Sequence, residues 1–259
     1  MKIRLLSGAL QFGYSAFFVL LSACAWSAEN PSDLFARGAH DYEAEKFLSA
    51  AGAYQEAFKN GLKNGNVFYN IGNCHLKNDE LSRAILNYEK AKIFMPGDSD
   101  LVLNYRYARS LMKQDENLAS RHVILWALDK VFEKIGFKGM IILGVFLFYG
   151  LTFYFIWAKI FKKSTVVSNF VIVLWIFLLA AVAIPLKHRL WDMETGAIVM
   201  PRIIDARFEP SEESMSNFPL YEGMKVNVTR KYGKWYRIRR TDGRIGWIKS
   251  SDVAKILPL

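Results

Sequence analysis

The stretch that decides the fold is Asn66–Pro96, "NVFYNIGNCHLKNDELSRAILNYEKAKIFMP". Its small and aromatic residues recur at the same offsets when the chain is compared with itself at a shift of 34 residues. The matching pairs are Gly38 and Gly72, Phe47 and Leu81, Ala50 and Ala84, Tyr54 and Tyr88, and Ala57 and Ala91. The stretch is therefore one copy of a repeat.

A 34-residue period with small, small, aromatic and small residues in these places is the tetratricopeptide signature, in which each copy is a hairpin of two helices. Gly and Ala allow the two helices of a hairpin to cross closely, while Tyr54 and Tyr88 fill the gap to the next hairpin. Pro96 ends the second hairpin because proline has no N–H and its ring obstructs the preceding turn. We predict full repeats over residues 30–62 and 66–98, together forming an all-α solenoid.

A partial third repeat is predicted over residues 99–113, with a first helix but no matching second helix. Its N-terminus offers Asp98, Ser99 or Asp100 as the capping residue. Stacked repeats bury their faces against neighbours, and at least three are usually needed. We expect the third helix to cap the two full copies, with or without the amphipathic segment described below.

Tetratricopeptide arrays bind extended peptides on the concave side of their first helices. By the register of that family, this groove is lined or bordered by Tyr42, Tyr69, Asn73, Asn104 and Tyr107. Tyrosine supplies rigid amphipathic contact area, and asparagine can hold a ligand backbone. The alternative for each residue is packing within the hairpins. Phe35 stands where members that bind a C-terminal carboxylate carry lysine, so that ligand class is not expected.

The N-terminal residues 1–28 have the pattern of a secretory signal: a basic start, an apolar core and a small-residue exit. Three outcomes remain open, namely cleavage before Trp26, lipidation of Cys24, and retention as an anchor.

Two later apolar runs are long enough to be transmembrane helices, at residues 139–158 and 164–186. Lysines crowd the connecting loop, 159–163, which predicts that this loop is cytoplasmic and that both flanking regions lie in the periplasm. Residues 118–138 form an amphipathic juxtamembrane helix, which either lies along the membrane surface or seals the repeat domain.

The C-terminal segment alternates apolar and polar residues between turn sequences, which predicts short strands of a small all-β barrel. The inward positions are Val226, Val228, Ile238, Ile245 and Ile248. The string "GKWYRIRRTDGRIGWIKSSDV" closely resembles a bacterial SH3 domain, which we place at residues 195–256. The signature residues are Trp235, Tyr236, Asp242, Gly243, Gly246 and Trp247. The barrel either binds wall peptides and anionic polymer or is a structural docking module.

Charge and cysteine content exclude several classes of site. The net charge is +10, and the segment from Lys187 to the end contains 14 basic and 9 acidic residues. The chain contains only two cysteines, Cys24 and Cys74, so neither a disulfide framework nor a Cys-rich zinc site is expected. Cys74 and His75 are adjacent in a helix and point about 100° apart, so we predict packing roles rather than metal ligation.

The order of these parts resembles the BatE-type proteins of the bacterial aerotolerance operon. That resemblance implies an envelope stress-resistance complex with von Willebrand A-type membrane proteins and an AAA+ ATPase as partners. It also implies that the chain binds envelope proteins and contacts the lipid membrane, and that it does not bind nucleic acid.

Two hypotheses follow from the sequence. The first is a non-enzymatic inner-membrane scaffold that gathers envelope proteins through the repeat groove and the SH3-like barrel. The second is a cell-wall tether whose barrel binds peptidoglycan. We expect no enzymatic activity and no cofactor, because the sequence contains no nucleophile–base constellation, Walker loop or metal-ligand spacing.

Overall fold

The computed structural model describes residues 29–113, 123–161 and 165–257. The predicted signal, with Cys24, lies outside the described residues. The order of elements is five short helices, two long helices and seven strands. The short helices are α1 (Pro31–Glu43), α2 (Phe47–Lys59), α3 (Gly65–Lys77), α4 (Leu81–Phe94) and α5 (Ser99–Ser110).

The five short helices repeat the same local geometry every 34 residues. The first helix of each copy starts at Pro31, Gly65 or Ser99 and is capped by the side-chain oxygen of Asn30, Asn64 or Asp98. Among the three capping residues proposed for the third copy, the structure selects Asp98, whose Oδ1 accepts from Leu101 N at 3.0 Å. The turns between helices also match, because Glu45 and Asp79 have φ angles of 58° and 57°.

Close helix crossing explains the glycine positions of the repeat. A Cβ added to Gly38 would lie 2.8 Å from the Tyr54 ring, and one added to Gly72 would lie 2.6 Å from the Tyr88 ring. Each tyrosine therefore packs directly on the glycine of its own hairpin. Tyr88 also reaches the next helix, where its ring meets that of Tyr105 edge to face at 6.4 Å. The predicted alanines, Ala50, Ala57, Ala84 and Ala91, are all fully buried.

The two long helices are α6 (Val123–Ile160) and α7 (Thr165–Thr195). Each contains a segment long and apolar enough to cross a membrane, at Gly139–Ile160 and Asn169–Thr195, and only 6% of each segment's most apolar window is buried. The two helices contact each other at Gly150, where an added Cβ would lie 2.6 Å from the Trp175 ring. Of the segment predicted as an amphipathic helix, 118–138, residues 123–138 are continuous with the apolar run in α6, and residues 118–122 lie outside the described residues.

The C-terminal region is one antiparallel sheet of seven strands in the order β3-β2-β6-β5-β4-β1-β7. The strands are β1 (Gly196–Val199), β2 (Ile203–Arg207), β3 (Ser216–Tyr221), β4 (Lys225–Tyr232), β5 (Trp235–Arg240), β6 (Ile245–Lys249) and β7 (Val253–Lys255). The dipeptides Tyr232-Gly233 and Asp242-Gly243 predict hairpin turns, and both turns are present, with Gly233 and Gly243 at φ angles of 53° and 92°.

Four of the five predicted inward residues are buried in this sheet: Val226, Val228, Ile238 and Ile248. The prediction for Ile245 is wrong, since 37% of this residue is exposed. Ile245 pairs with Arg239 on the outer face, whereas Gly246 and Ile238 face the core. The sequence prediction therefore assigns the first residue of β6 to the wrong face of the sheet, one residue out of phase with the alternation of the strand.

The sheet also packs against the short helices. Ile198 of β1 and Ile256, just after β7, belong to the same buried cluster as Leu101 and Ala108 of α5. Gly223 lies against Ile85 of α4. The barrel therefore packs on the second repeat, through β1 and the Gly223 turn against α4, beside α5.

Candidate binding groove and interdomain network

Three of the five predicted groove residues form one hydrogen-bond network. Asn104 Nδ2 donates to Tyr69 Oη at 2.8 Å and to Asn73 Oδ1 at 3.1 Å. Tyr88 Oη donates to the same Asn73 oxygen at 2.8 Å. The network joins α3, α4 and α5, so these side chains hold the hairpins together.

The network leaves two amide atoms without a partner among the described residues, namely Asn73 Nδ2 and Asn104 Oδ1. Within the part of the chain that the structure describes, no buried side-chain N or O lacks a hydrogen-bond partner. These two atoms are therefore reached by solvent. Together they offer one donor and one acceptor, which is the pair that a peptide backbone requires.

The other two groove residues lie outside this network. Tyr42 packs edge to face on Phe47, with ring centroids 5.4 Å apart, and burial raises the pKa of its hydroxyl. Tyr107 is 57% exposed and follows Asn104 by one helical turn. Phe35 packs on Tyr54 at a centroid distance of 5.0 Å, as a core residue would.

Cys74 and His75 are both buried, and burial raises the pKa of the Cys74 thiol to about 12. His75 Nδ1 lies 2.6 Å from Glu80 Oε2, within hydrogen-bonding distance. Across residues 29–113, 123–161 and 165–257 there is no group of three or more His, Cys, Asp or Glu suited to a metal ion.

A partly buried ion network, which the sequence does not reveal, connects the barrel to both helical parts. Lys225 Nζ of β4 lies 3.0 Å from Glu89 Oε2 of α4 and 2.6 Å from Asp192 Oδ2 near the end of α7. The second Asp192 oxygen accepts from Asn227 Nδ2 at 2.9 Å. The Tyr105 hydroxyl of α5 donates a hydrogen bond to the Glu89 carboxylate. One lysine therefore ties the repeats, the long helix and the barrel together.

The pKa shifts in this network follow from burial and charge. Burial would raise the pKa of Glu89, but Lys92, Lys225 and the Tyr105 hydroxyl hold it well below its ordinary value. Burial would lower the pKa of Lys225, but the carboxylates of Glu89 and Asp192 raise it. The pKa of Tyr105 is well above its usual range because the hydroxyl is buried beside the Glu89 carboxylate. The charged forms of Glu89 and Lys225 are thus the stable ones.

Two smaller contacts extend the same interface. Glu222, in the β3–β4 turn, accepts a hydrogen bond from Ser82 N at 3.2 Å, at the positive N-terminal end of α4. Lys113 lies over the Tyr221 ring, 5.1 Å from its centroid. The ion pair between Glu89 and Lys225 could not be predicted from the sequence, because the two residues are 136 positions apart and neither belongs to a motif.

The residues of the predicted SH3 signature mostly shape the barrel. Trp235 is buried, and an added Cβ on Gly246 would lie 2.8 Å from Ala206 Cβ. Tyr236 is partly buried against the core. The Asp242 carboxylate accepts from the buried Arg240 guanidinium, and its Oδ1 accepts from Arg244 N at 3.1 Å. The Arg240 hydrogen bond lowers the pKa of Asp242, with Arg244 adding to the effect. Gly243 supplies the left-handed turn that follows.

Trp247 is only partly buried and meets the exposed Tyr232 edge to face at 6.4 Å. This aromatic pair is a second candidate contact surface, because exposed aromatic side chains are common anchors of protein interfaces. Nearby, Glu212 pairs with Lys234 at 3.3 Å and with Lys249 at 3.0 Å.

Residues 202–255 match the family model for the bacterial SH3 domain. No curated protein matches the chain. The class defined by the fold is therefore a chain with a helical N-terminal region, two apolar helices and a C-terminal bacterial SH3 domain, and a domain of that family suggests protein or peptidoglycan binding.

Proposed function

We propose that this protein is a non-enzymatic inner-membrane scaffold that binds other envelope proteins through a tetratricopeptide groove, with the SH3 domain as a second contact. The observation that carries the proposal is the pair of solvent-facing amide atoms, Asn73 Nδ2 and Asn104 Oδ1, held in place by Tyr69 and Tyr88. Preorganised polar atoms flanked by aromatic side chains are what recognition of an extended peptide needs.

The assignment of α1–α5 as tetratricopeptide repeats rests on agreement at several levels. Helix starts, capping side chains and the left-handed turn residues all recur at 34 residues, as do the glycine–tyrosine contacts. The third copy is incomplete, and the barrel packs beside it on α4.

The proposed location is the bacterial inner membrane, with α6 and α7 as the two transmembrane helices. Their apolar segments leave large aliphatic and aromatic side chains exposed, which lipid would cover. The lysine-rich connection is the cytoplasmic side by the positive-inside rule, so the repeats and the SH3 domain lie in the periplasm.

The resemblance to BatE-type proteins suggests the partners: von Willebrand A-type membrane proteins and an AAA+ ATPase of the same operon, acting in an aerotolerance or envelope stress-resistance complex. ATP hydrolysis would belong to the partner, and this chain would contribute binding only.

The test uses the full chain, purified in detergent, as bait for a von Willebrand A-type partner expressed with it. Tyr107→Ala, in the groove, is compared with Tyr232→Ala, on the barrel, since the two tyrosines are similarly exposed, at 57% and 62%. We expect Tyr107→Ala to lower recovery of the partner at least fivefold, and Tyr232→Ala, at the second contact, to lower it clearly less. Equal recovery with both variants would contradict groove binding.

The second candidate function is a cell-wall tether, favoured by the match to the bacterial SH3 domain and by the basic C-terminal region. Here the full chain would sediment with purified peptidoglycan, and Tyr232→Ala, not Tyr107→Ala, would release it. The two hypotheses therefore predict opposite sensitivities of the same variant pair.

A further inference from the structure

The outer face of β4 and β5 carries a stripe of three arginines. Arg230 stands directly opposite Arg237 in the antiparallel pairing, and Arg239 lies two residues further along β5, opposite Asn227. All three are exposed. Like charges directly opposite across two strands destabilise a sheet. Within the part of the chain that the structure describes, none of the three forms an ion pair, so the stripe lacks its counter-charge.

The stripe leads to a cleft between the barrel and the end of α7. The Arg239 guanidinium lies over the Trp191 ring, 5.9 Å from its centroid. Trp191, Arg239, His188, Thr241 and Gly243 are among the residues that line a cleft of about 320 Å³. A cavity of this size accommodates a phosphate group with part of the molecule that carries it.

The acidic side chains near the cleft are already neutralised. Asp192 is the only acid among the lining residues, and its two oxygens accept from Lys225 and Asn227. Asp242, between the lining residues Thr241 and Gly243 in the sequence, is paired with the buried Arg240. Among the residues that line the cleft, Lys225 and Arg240 are paired with carboxylates, and the guanidinium of Arg239 is placed to attract an anion.

The position of the cleft along α7 points to the source of that anion. The predicted second span ends at Leu186, and Trp191 follows it by five residues. At 1.5 Å per residue, Trp191 lies about 7 Å beyond the hydrocarbon boundary. The polar headgroups occupy roughly the first 5–8 Å outside that boundary. Because α7 continues without a break to Thr195 and β1 begins at Gly196, the barrel is fixed at this height.

We propose that this cleft and the arginine stripe form a binding site for the headgroup phosphate of an anionic phospholipid. Arg239 would bind the phosphate, with Trp191 fixing the guanidinium at the membrane interface, and Arg237 and Arg230 would attract neighbouring headgroups. The inference rests on the proposed insertion of α6 and α7 in the membrane. It assigns the basic outer face to the lipid surface and leaves the repeat groove free for protein partners.

The test is native mass spectrometry of the full chain in detergent with added phosphatidylglycerol or phosphatidylcholine. We expect phosphatidylglycerol to be retained at least fivefold better, and Arg239→Gln to remove most of that preference. Arg106→Gln, on the exposed face of α5, makes the same change of charge and serves as the matched control. Arg237→Gln is a second variant from the stripe if Arg239→Gln does not fold.

Two results would overturn the proposal: equal retention of the two lipids by the unaltered chain, or equal loss of phosphatidylglycerol in Arg239→Gln and Arg106→Gln. Flotation of the chain with phosphatidylcholine vesicles tests membrane insertion separately. A chain that floats but shows no headgroup preference contradicts the site alone, whereas a chain that does not float contradicts the proposed location as well.

Discussion

Lys225→Met removes the cation that joins the three parts of the molecule. Methionine keeps the length of the side chain, but Glu89 and Asp192 lose the charge that lies between them. Removing one partner of a buried ion pair costs about 3–5 kcal/mol. The Lys225 side chain retains 28% exposure and Lys92 remains 3.9 Å from Glu89, so we expect a value near the lower end, about 3 kcal/mol.

The assay is thermal unfolding of the full chain in detergent, followed by tryptophan fluorescence. A loss of about 3 kcal/mol corresponds to a decrease in Tm of roughly 6–12 °C for a protein of this size. Lys234→Met is the matched control, because it breaks an ion pair with Glu212 whose side chains are 68% and 47% exposed. Such pairs contribute about 0–1 kcal/mol.

A double-mutant cycle separates the pair from its surroundings. Glu89→Gln and Lys225→Met are measured singly and together, and we expect a coupling energy of about 1–3 kcal/mol. If Lys225→Met destabilises the chain no more than Lys234→Met does, or if the coupling energy is zero, the barrel is not held by this network.

The same network predicts the pH dependence of stability. The pKa of Glu89 is lowered on folding, so its contribution is present above its unfolded pKa, near 4.5, and is lost as the pH falls below that value. The pKa of Lys225 is raised, so its contribution is complete below 10.5 and is lost as the pH rises through the higher folded value. The difference in Tm between wild type and Lys225→Met should therefore be constant from about pH 5 to pH 10.

Three further substitutions test the packing. Gly72→Ala places a methyl group 2.6 Å from the Tyr88 ring and should destabilise the repeats by about 1–3 kcal/mol in thermal unfolding. Gly52→Ala, in the exposed middle of α2 with no atom within 4 Å of the new Cβ, should stabilise them by about 0.5–1 kcal/mol. Asp242→Asn removes the Asp242 carboxylate charge beside Arg240, whose side chain is 1% exposed, and should cost about 3 kcal/mol, measured as a lower Tm in thermal unfolding. If Gly72→Ala and Gly52→Ala had effects of the same sign, the assigned close contact between helices would be wrong.

Most of the fold of this chain could be predicted from the local periodicity of its sequence. The 34-residue shift predicted which glycines face which tyrosines, since a repeat places the same residue types in the same environment. Strand alternation located the hairpin turns of the barrel, and it failed at Ile245, the first residue of β6, where nothing before it fixes the phase. Patterns of this kind record which side of its own element a residue faces.

The contacts between the barrel and the helices could not be predicted from local periodicity. Glu89 and Lys225 look like ordinary surface charges in their own elements, and only the packing of β4 against α4 makes them partners. The arginine stripe was visible as an excess of basic residues, but its register, Arg230 opposite Arg237, required the β4 bulge to be known. In the groove, the sequence named Asn73 and Asn104 separately, whereas their mutual hydrogen bond decides which amide atoms stay available.

Continuity between α7 and the barrel decides how the surfaces can work together. No linker separates Thr195 from Gly196, and an added Cβ on Gly196 would lie 2.4 Å from Asp192 O, so the joint admits no larger residue without a shift. Lys225 then fixes α4, and with it the groove, to the same helix. With α7 in the membrane as proposed, a partner bound by the repeats would therefore be held at a set height and orientation above the membrane. A flexible linker lets a binding site occupy many positions, whereas a rigid connection holds the site in one position and orientation. The rigid connection therefore favours assembly with membrane partners of defined position.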